Sequence, residues 1–417
     1  MLQNIEMLKN SANVFKEISK NREKSMNSFM KRRDFIKKSL TVAATTAALG
    51  GFASRASASG HLKIGVMIPL SGAAGLFGPA SKNVSEMAAA EINAAGGILG
   101  RQVEIVLGDA GLSPSEVAQT ALKLWRGEGC EAFIGMHDSA VRGALINVFK
   151  AQVPYVYCPN YEGGECADGV YYVGETPAQS VVPSIEWLAA EKKVKKFYLI
   201  GNDYNWPRDT NAIAKETIAK LGGEVVGEEY MPFTVDNFDS SLAKMKETGA
   251  ELVIITLVGG ASVSFNRAFA SFGLSENVLR FGTLIDENTL MGIGAENSKN
   301  IYSAAGYFAN VQTDAAKAFA QGYASKFGSD AAVLNALSQS CYDGLIALDT
   351  IAERAGALDT KAMDKAAEGM EYDGPRGHGT MKNRHLAMDI YLANAVGAEF
   401  KIVQSFKNQE PGNFCKA

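Results

Sequence analysis

This 417-residue chain lacks the short motifs on which most α/β enzymes depend. A dinucleotide enzyme needs G-x-G-x-x-G between a strand and a helix, so that backbone can approach a pyrophosphate; Gly259-Gly260 does not have that spacing. Neither a P-loop, nor a G-x-S-x-G elbow, nor an H-E-x-x-H pair occurs. Cysteine is sparse and odd in number: Cys130, Cys158, Cys166, Cys341 and Cys415, with no metal-type C-x-x-C spacing. In an oxidising compartment at least one stays unpaired; a Cys158–Cys166 bridge, a Cys166–Cys415 bridge and free buried thiols all remain open. No apolar run reaches the ~20 residues that a membrane-spanning helix needs.

Positive charge is scarce outside the N-terminus. Residues 1–58 carry eleven Lys and Arg against four Asp and Glu, so the net charge of −4 becomes about −11 without them. That balance disfavours nucleic acid or an anionic membrane surface as a partner. The basic run Lys31-Arg32-Arg33-Asp34-Phe35-Ile36-Lys37-Lys38, the uncharged stretch Ser39 to Ser54 and Ala56-Ser57-Ala58 follow the order of an export signal. The arginine pair resembles the twin-arginine (Tat) variety. Translation starting at Met26 or Met30 fits better than a 29-residue extension. Cleavage near Ala58 leaves 359 residues with no cysteine nearby for a lipid anchor, and places the protein in the periplasm.

That length suits two lobes, and the pattern supplies them. Ala132 to Glu165 reads as strand, polar tip, helix, strand, polar tip, with Ser139 and Asn160 at the two tips. Parallel strands joined by a helix bring such tips to one sheet edge, where open α/β sheets bind ligands. Taken alone, Ser139 reads better as a helix N-cap and Asn160 as a turn residue; they gain weight as ligand contacts only if the chain builds a second wall opposite them. Strand–helix alternation continues on either side. Gly174-Glu175-Thr176-Pro177 is a hinge candidate, and a second βα run follows with tips at Tyr204, at Gly259 and at Asp286. The expected fold is α/β: two doubly wound Rossmann-like lobes joined by hinge strands. One lobe comprises residues 59–177 plus 309–372 and the other 178–308 plus 373–417, where Met388–Ala393 is a strand.

Five segments resemble exported solute-binding proteins of ABC importers, in the branched-chain amino acid, amide and urea group. They are Ile68-Pro69-Leu70-Ser71-Gly72, Glu91 to Arg101, Asn160-Tyr161-Glu162-Gly163, Gly201-Asn202-Asp203-Tyr204 with Pro207-Arg208, and Gly292 to Asn297. The resemblance covers Leu62 to about Ala393 and is nearest the urea and amide branch. It implies a type I periplasmic-binding-protein fold, a small polar ligand between the lobes and a membrane permease as partner. No cofactor is implied, and the protein is expected to be a monomer. Carried over residue by residue, the ligand set is Phe77 at the mouth, His137, Ser139, Asn160, Tyr161, Tyr204, Gly259, Asp286 and Tyr307. His137-Asp138 departs from the branch's pattern and reads evenly as a ligand contact or a solvated loop pair.

Two rival readings compete with this one. An enzyme could pair Cys158 with His137, or bind a metal at His378, His385 and Asp389, but the latter spacing in a Gly-containing tail fits surface turns. A sensor domain of the same fold would need an output segment that this chain does not carry.

Overall fold

The computed structural model describes residues 60–412; the export-signal reading of residues 1–58 lies outside them. The first strand, β1 (Leu62–Ile68), is an apolar run buried on both faces, as parallel strands covered by helices are. It pairs in parallel with β2 (Val103–Asp109) on one side and β3 (Ala132–Gly135) on the other. β4 (Tyr155–Tyr157) and β5 (Val170–Tyr172) extend the sheet, giving the order β2-β1-β3-β4-β5. The connecting helices are α1 (Gly78–Ala94), α2 (Pro114–Leu122) and α3 (Ser139–Phe149).

After α4 (Pro177–Lys192) the same topology is repeated. β6 (Lys196–Asn202), β7 (Glu224–Met231), β8 (Leu252–Thr256), β9 (Leu279–Gly282) and β10 (Ile301–Ala305) lie in the order β7-β6-β8-β9-β10, all in parallel. They alternate with α5 (Asn205–Lys220), α6 (Asp239–Glu247), α7 (Gly259–Ser271) and α8 (Glu287–Ile293). Two doubly wound α/β lobes are therefore present. One buried cluster runs through both, with Ile64, Ile134 and Val156 beside Leu199, Ile254 and Phe281, and Ile200, Val253 and Phe265 belong to a second.

Then α9 (Asp314–Phe327), α10 (Ala336–Ala355) and α11 (Thr360–Ala367) pack back on the first lobe. Asn83 of α1 donates to the Tyr323 hydroxyl of α9 at 3.1 Å, and Thr360 donates to the Ala151 carbonyl at 2.6 Å.

The tail differs from expectation. Beyond β13 (His385–Val396), which contains the expected strand, it forms β11 (Glu371–Gly374), β12 (Gly377–Lys382) and β14 (Glu399–Gln409) in an antiparallel ladder. Edge strand β14, EFKIVQSFKNQ, is mostly half-exposed and needs no apolar run, so its sequence signal is weak. β13 pairs antiparallel with β10 and touches β5 through one residue pair, His385 and Tyr172. The two sheets are thus joined by a single-residue bridge rather than kept separate.

Strand order reverses between β1 and β3 in one lobe and between β6 and β8 in the other. At such switch points the loops leave in opposite directions and open a crevice at the strand ends. The segments after these four strands are Pro69–Ala74, Met136–Asp138, Asp203–Tyr204 and Leu257–Val258, and they mark where a ligand belongs.

Candidate functional site

A cavity of about 400 Å³ lies there, walled by both lobes. Pro69, Ala74, Phe77 and Ser113 line it from the first lobe, together with Met136 to Ala140, Tyr157 and Asn160. From the second come Tyr204, Trp206, Phe233, Val258 and Leu284. The wall is largely apolar and aromatic with a few polar groups, the usual make-up of a small-molecule site. Tyr204 and Phe233 pack with ring centroids 5.0 Å apart, and Tyr204 and Trp206 at 6.2 Å.

Three amides bridge the lobes around it. Asn205 Nδ2 donates to Glu162 Oε1 at 2.9 Å, Asn288 Nδ2 to the Leu76 carbonyl at 3.1 Å, and Asn160 Nδ2 to Thr283 Oγ1 at 3.3 Å. Gly259 supplies a closer approach. A Cβ on it would stand 2.1 Å from the Ala73 carbonyl oxygen, and its φ of +54° favours glycine.

Behind the first-lobe wall is a buried ion pair that the sequence reading missed. Arg142 Nη2 donates to Glu162 Oε1 at 2.6 Å, and both side chains are almost fully buried. Ser139 closes the triangle, donating to Glu162 Oε2 at 2.6 Å and accepting from Arg142 Nη1 at 2.9 Å. The guanidinium lies 5.0 Å from the Tyr157 ring centre and 4.7 Å from that of Tyr161. Burial disfavours the Glu162 carboxylate, but Arg142 and Ser139 outweigh it and hold its pKa below the usual range. Arg142, three residues after Ser139 on an otherwise apolar helix, was the available signal.

Ser139 therefore faces the cavity with its hydroxyl already engaged, and it is not the N-cap. Asp138 caps α3, its Oδ1 accepting from Ala140 N at 2.8 Å and Val141 N at 2.9 Å. His137 also lines the cavity. Its Nε2 accepts from the Tyr155 hydroxyl at 2.8 Å while Nδ1 donates to the Asp138 carbonyl at 3.0 Å, and burial pushes its pKa down to about 4. The imidazole is neutral at pH 7. Phe77 is almost fully buried in the wall.

The remaining expected residues fall elsewhere. Tyr161 is buried behind the wall, its hydroxyl donating to His385 Nε2 and its ring stacked on Tyr172. Tyr307 is buried against Phe319 of α9, its hydroxyl without a hydrogen-bond partner among the described residues. Asp286 caps α8 through a 3.0 Å bond from Thr289 N and faces a small adjoining void, shared with Asn160 and Leu284. Burial pushes its pKa up to about 6. Tyr157, Trp206 and Phe233, which the sequence reading gave no ligand role, are in the wall. An apolar position at a strand end does not reveal from sequence whether it faces the core or the crevice.

The chance pair of Cys158 and His137 does not form, because Cys158 Sγ lies 3.7 Å from the Val156 carbonyl and His137 is held by Tyr155. Cys158, Cys130 and Cys341 are free, buried thiols, whereas Cys166 is disulfide-bonded, which removes a Cys158–Cys166 bridge.

The sequence model of the family described as periplasmic binding protein matches residues 61–399. The chain belongs to that family. A Leu/Ile/Val-binding protein homolog 6 from Brucella melitensis is 27% identical over 389 residues, 89% of this chain and 98% of the relative. Among solved structures, a solute-binding protein of an ABC transporter from Rhodopseudomonas palustris, in complex with p-hydroxybenzoic acid, superposes with a TM-score of 0.77 at 24% identity. It covers 85% of this chain and 99% of its own. A branched-chain amino acid transporter substrate-binding protein from Streptococcus pneumoniae, in complex with isoleucine, gives 0.74 at 21% identity over 84% of this chain and 100% of its own.

In this periplasmic binding protein three chain segments meet between the lobes. Glu175 accepts from the Gly306 amide, and Arg376 Nη1 is 3.6 Å from Glu175 and donates to the Val173 carbonyl at 3.0 Å. Arg376 also pairs with Asp343 at 2.5 Å. All three side chains are buried, so the crossing is held by charge-assisted bonds in a low dielectric. Among the described residues no helix is long and apolar enough to cross a membrane.

Proposed function

We propose that this periplasmic binding protein captures a small molecule between its lobes and delivers it to the permease of an ABC importer. The observation that carries the reading is the aromatic cavity walled by two switch-point crevices facing each other, with amides spanning them. The lobes are residues 59–177 plus 309–372 and 178–308 plus 373–417, and they close about the crossing at Glu175 and Arg376. Only the closed form offers both walls at once, so the ligand shifts the population towards it. The residues taken to contact the ligand are Phe77, His137, Asn160 and Tyr204, joined by Tyr157, Trp206 and Phe233. The protein is exported and catalyses no reaction, a reading that the family match and the kinds of protein that resemble it support, and it acts as a monomer.

A thermal-shift screen of the purified protein against amino acids, amides, urea and aromatic acids and amines tests the reading. A ligand at a hundred times its Kd adds about 2.7 kcal/mol of stability, a clear rise in Tm. Tyr204→Ala should abolish that rise without unfolding the protein. A stabilising compound whose effect survives Tyr204→Ala and Trp206→Phe, or one that is turned over, would overturn it.

A further inference from the structure

We infer that the cavity selects a small organic cation, its ammonium group against Asp138 and its apolar or aromatic body among Phe77, Tyr157, Tyr204, Trp206 and Phe233. The inference rests on the interlobe cavity being the ligand site and adds the sign of the ligand's charge.

Asp138 is the one carboxylate among the described lining residues, and no Lys or Arg lines the cavity. The nearest guanidinium, Arg142, is committed to Glu162 and Ser139 behind the wall. Both nitrogens of His137 are engaged, and its ring is neutral. The N-terminus of α3 is the place where a ligand carboxylate would ordinarily gain backbone N–H groups and a favourable dipole. Here the protein's own carboxylate already accepts from Ala140 and Val141 through Oδ1. A second carboxylate would lose those donors and meet a like charge in a low-dielectric pocket. A cation meets the opposite: a carboxylate whose pKa burial pushes up and whose ionised form a neighbouring positive charge would favour, and aromatic rings whose faces attract cations. A cavity of about 150 Å³ already accepts benzene, so this one has room for a single ring with its ammonium substituent.

Isothermal titration of the purified protein with three single-ring probes tests the inference: benzyltrimethylammonium, benzamide and benzoate. Benzyltrimethylammonium should bind at least ~tenfold more tightly than benzoate, the size expected for a desolvated cation on aromatic rings. Asp138→Asn keeps the helix cap, because Asn caps as well as Asp, but removes the charge and should erase that preference. Equal or tighter binding of benzoate, no binding of the cation at millimolar concentration, or a cation preference that survives Asp138→Asn overturns the inference. Binding of all three probes without charge preference, but weakened by Tyr204→Ala, would sink the cation alone and leave the site standing. Binding untouched by both Tyr204→Ala and Trp206→Phe would instead remove the site.

Discussion

Asn205 of the second lobe donates a 2.9 Å hydrogen bond to Glu162 of the first, the carboxylate that Arg142 holds from behind. Glu162 is therefore held by residues of its own lobe, and Asn205 reaches it from the other. A hydrogen bond to a charged group contributes roughly 1.5–3 kcal/mol, less where one partner is partly exposed as Asn205 is. Asn205→Ala should weaken ligand affinity about five- to thirtyfold, for a loss of about 1–2 kcal/mol felt by the closed state alone. Titration calorimetry would measure the affinity, and a chemical melt without ligand should change little.

The Arg142–Glu162 pair makes a different prediction, on stability. Arg142→Met leaves Glu162 as an uncompensated buried charge and should cost about 3–5 kcal/mol. The double variant Arg142→Met with Glu162→Met removes both charges and should cost less than the single one. A denaturant series on the three proteins checks the order, and a double variant weaker than the single would contradict it.

How far the sequence led can be judged on these residues. Apolar runs, Gly-Gly stops and polar tips located the doubly wound lobes, because parallel strands buried on both faces leave a strong local signal. The tips at Met136–Ser139 and Tyr204 lead to the cavity. What stayed hidden depends on orientation: Tyr157, Tyr161 and Tyr172 are all buried tyrosines near strand ends, yet only Tyr157 reaches the cavity. Asp138 and Ser139 are neighbours, and which one caps the helix depends on a single residue of register. The antiparallel tail was underread because β14 is an edge strand with little to bury.

Tyr307 and Tyr204 separate core from site. The Tyr307 hydroxyl is buried with no hydrogen-bond partner among the described residues, so Tyr307→Phe removes a desolvated group at no cost in bonding. Melting temperature should hold or rise slightly, and ligand affinity should not change. Tyr204→Phe, by contrast, alters a residue in the cavity wall and should change affinity while leaving the melt in place.

Acid should destabilise the fold through its buried imidazoles. Burial pushes the pKa of His137 and of His385 down to about 4, against about 6.5 when exposed. Between those values the unfolded chain binds more protons, so the stabilisation is complete above pH 6.5 and is lost as pH falls through 4. Each imidazole contributes up to about 3 kcal/mol. His385→Gln should flatten this limb of the stability profile, with the amide oxygen accepting from Tyr161 in place of Nε2. Asp286, pushed up to about 6, works in the opposite sense, because its extra stability is lost as pH rises through 6. A variant with a steeper acid limb than the parent would refute the assignment.

Gly259 lies where the two lobes come into backbone contact. It begins α7 with φ +54°, and a methyl group there would stand 2.1 Å from the Ala73 carbonyl oxygen of the facing lobe. That neighbour is backbone, so it cannot swing aside as a flexible side chain would. The left-handed conformation alone makes alanine there cost about 1 kcal/mol, a small part of ordinary domain stability. The clash acts only when the lobes are shut, so Gly259→Ala should fold, melt a few degrees lower and resist closure. Solution scattering should show the variant's radius of gyration unchanged by a ligand that compacts the parent, with affinity down more than ~tenfold, since the ligand must then bind an open form lacking one wall. A Gly259→Ala protein that compacts as the parent does would show that this contact does not limit closure.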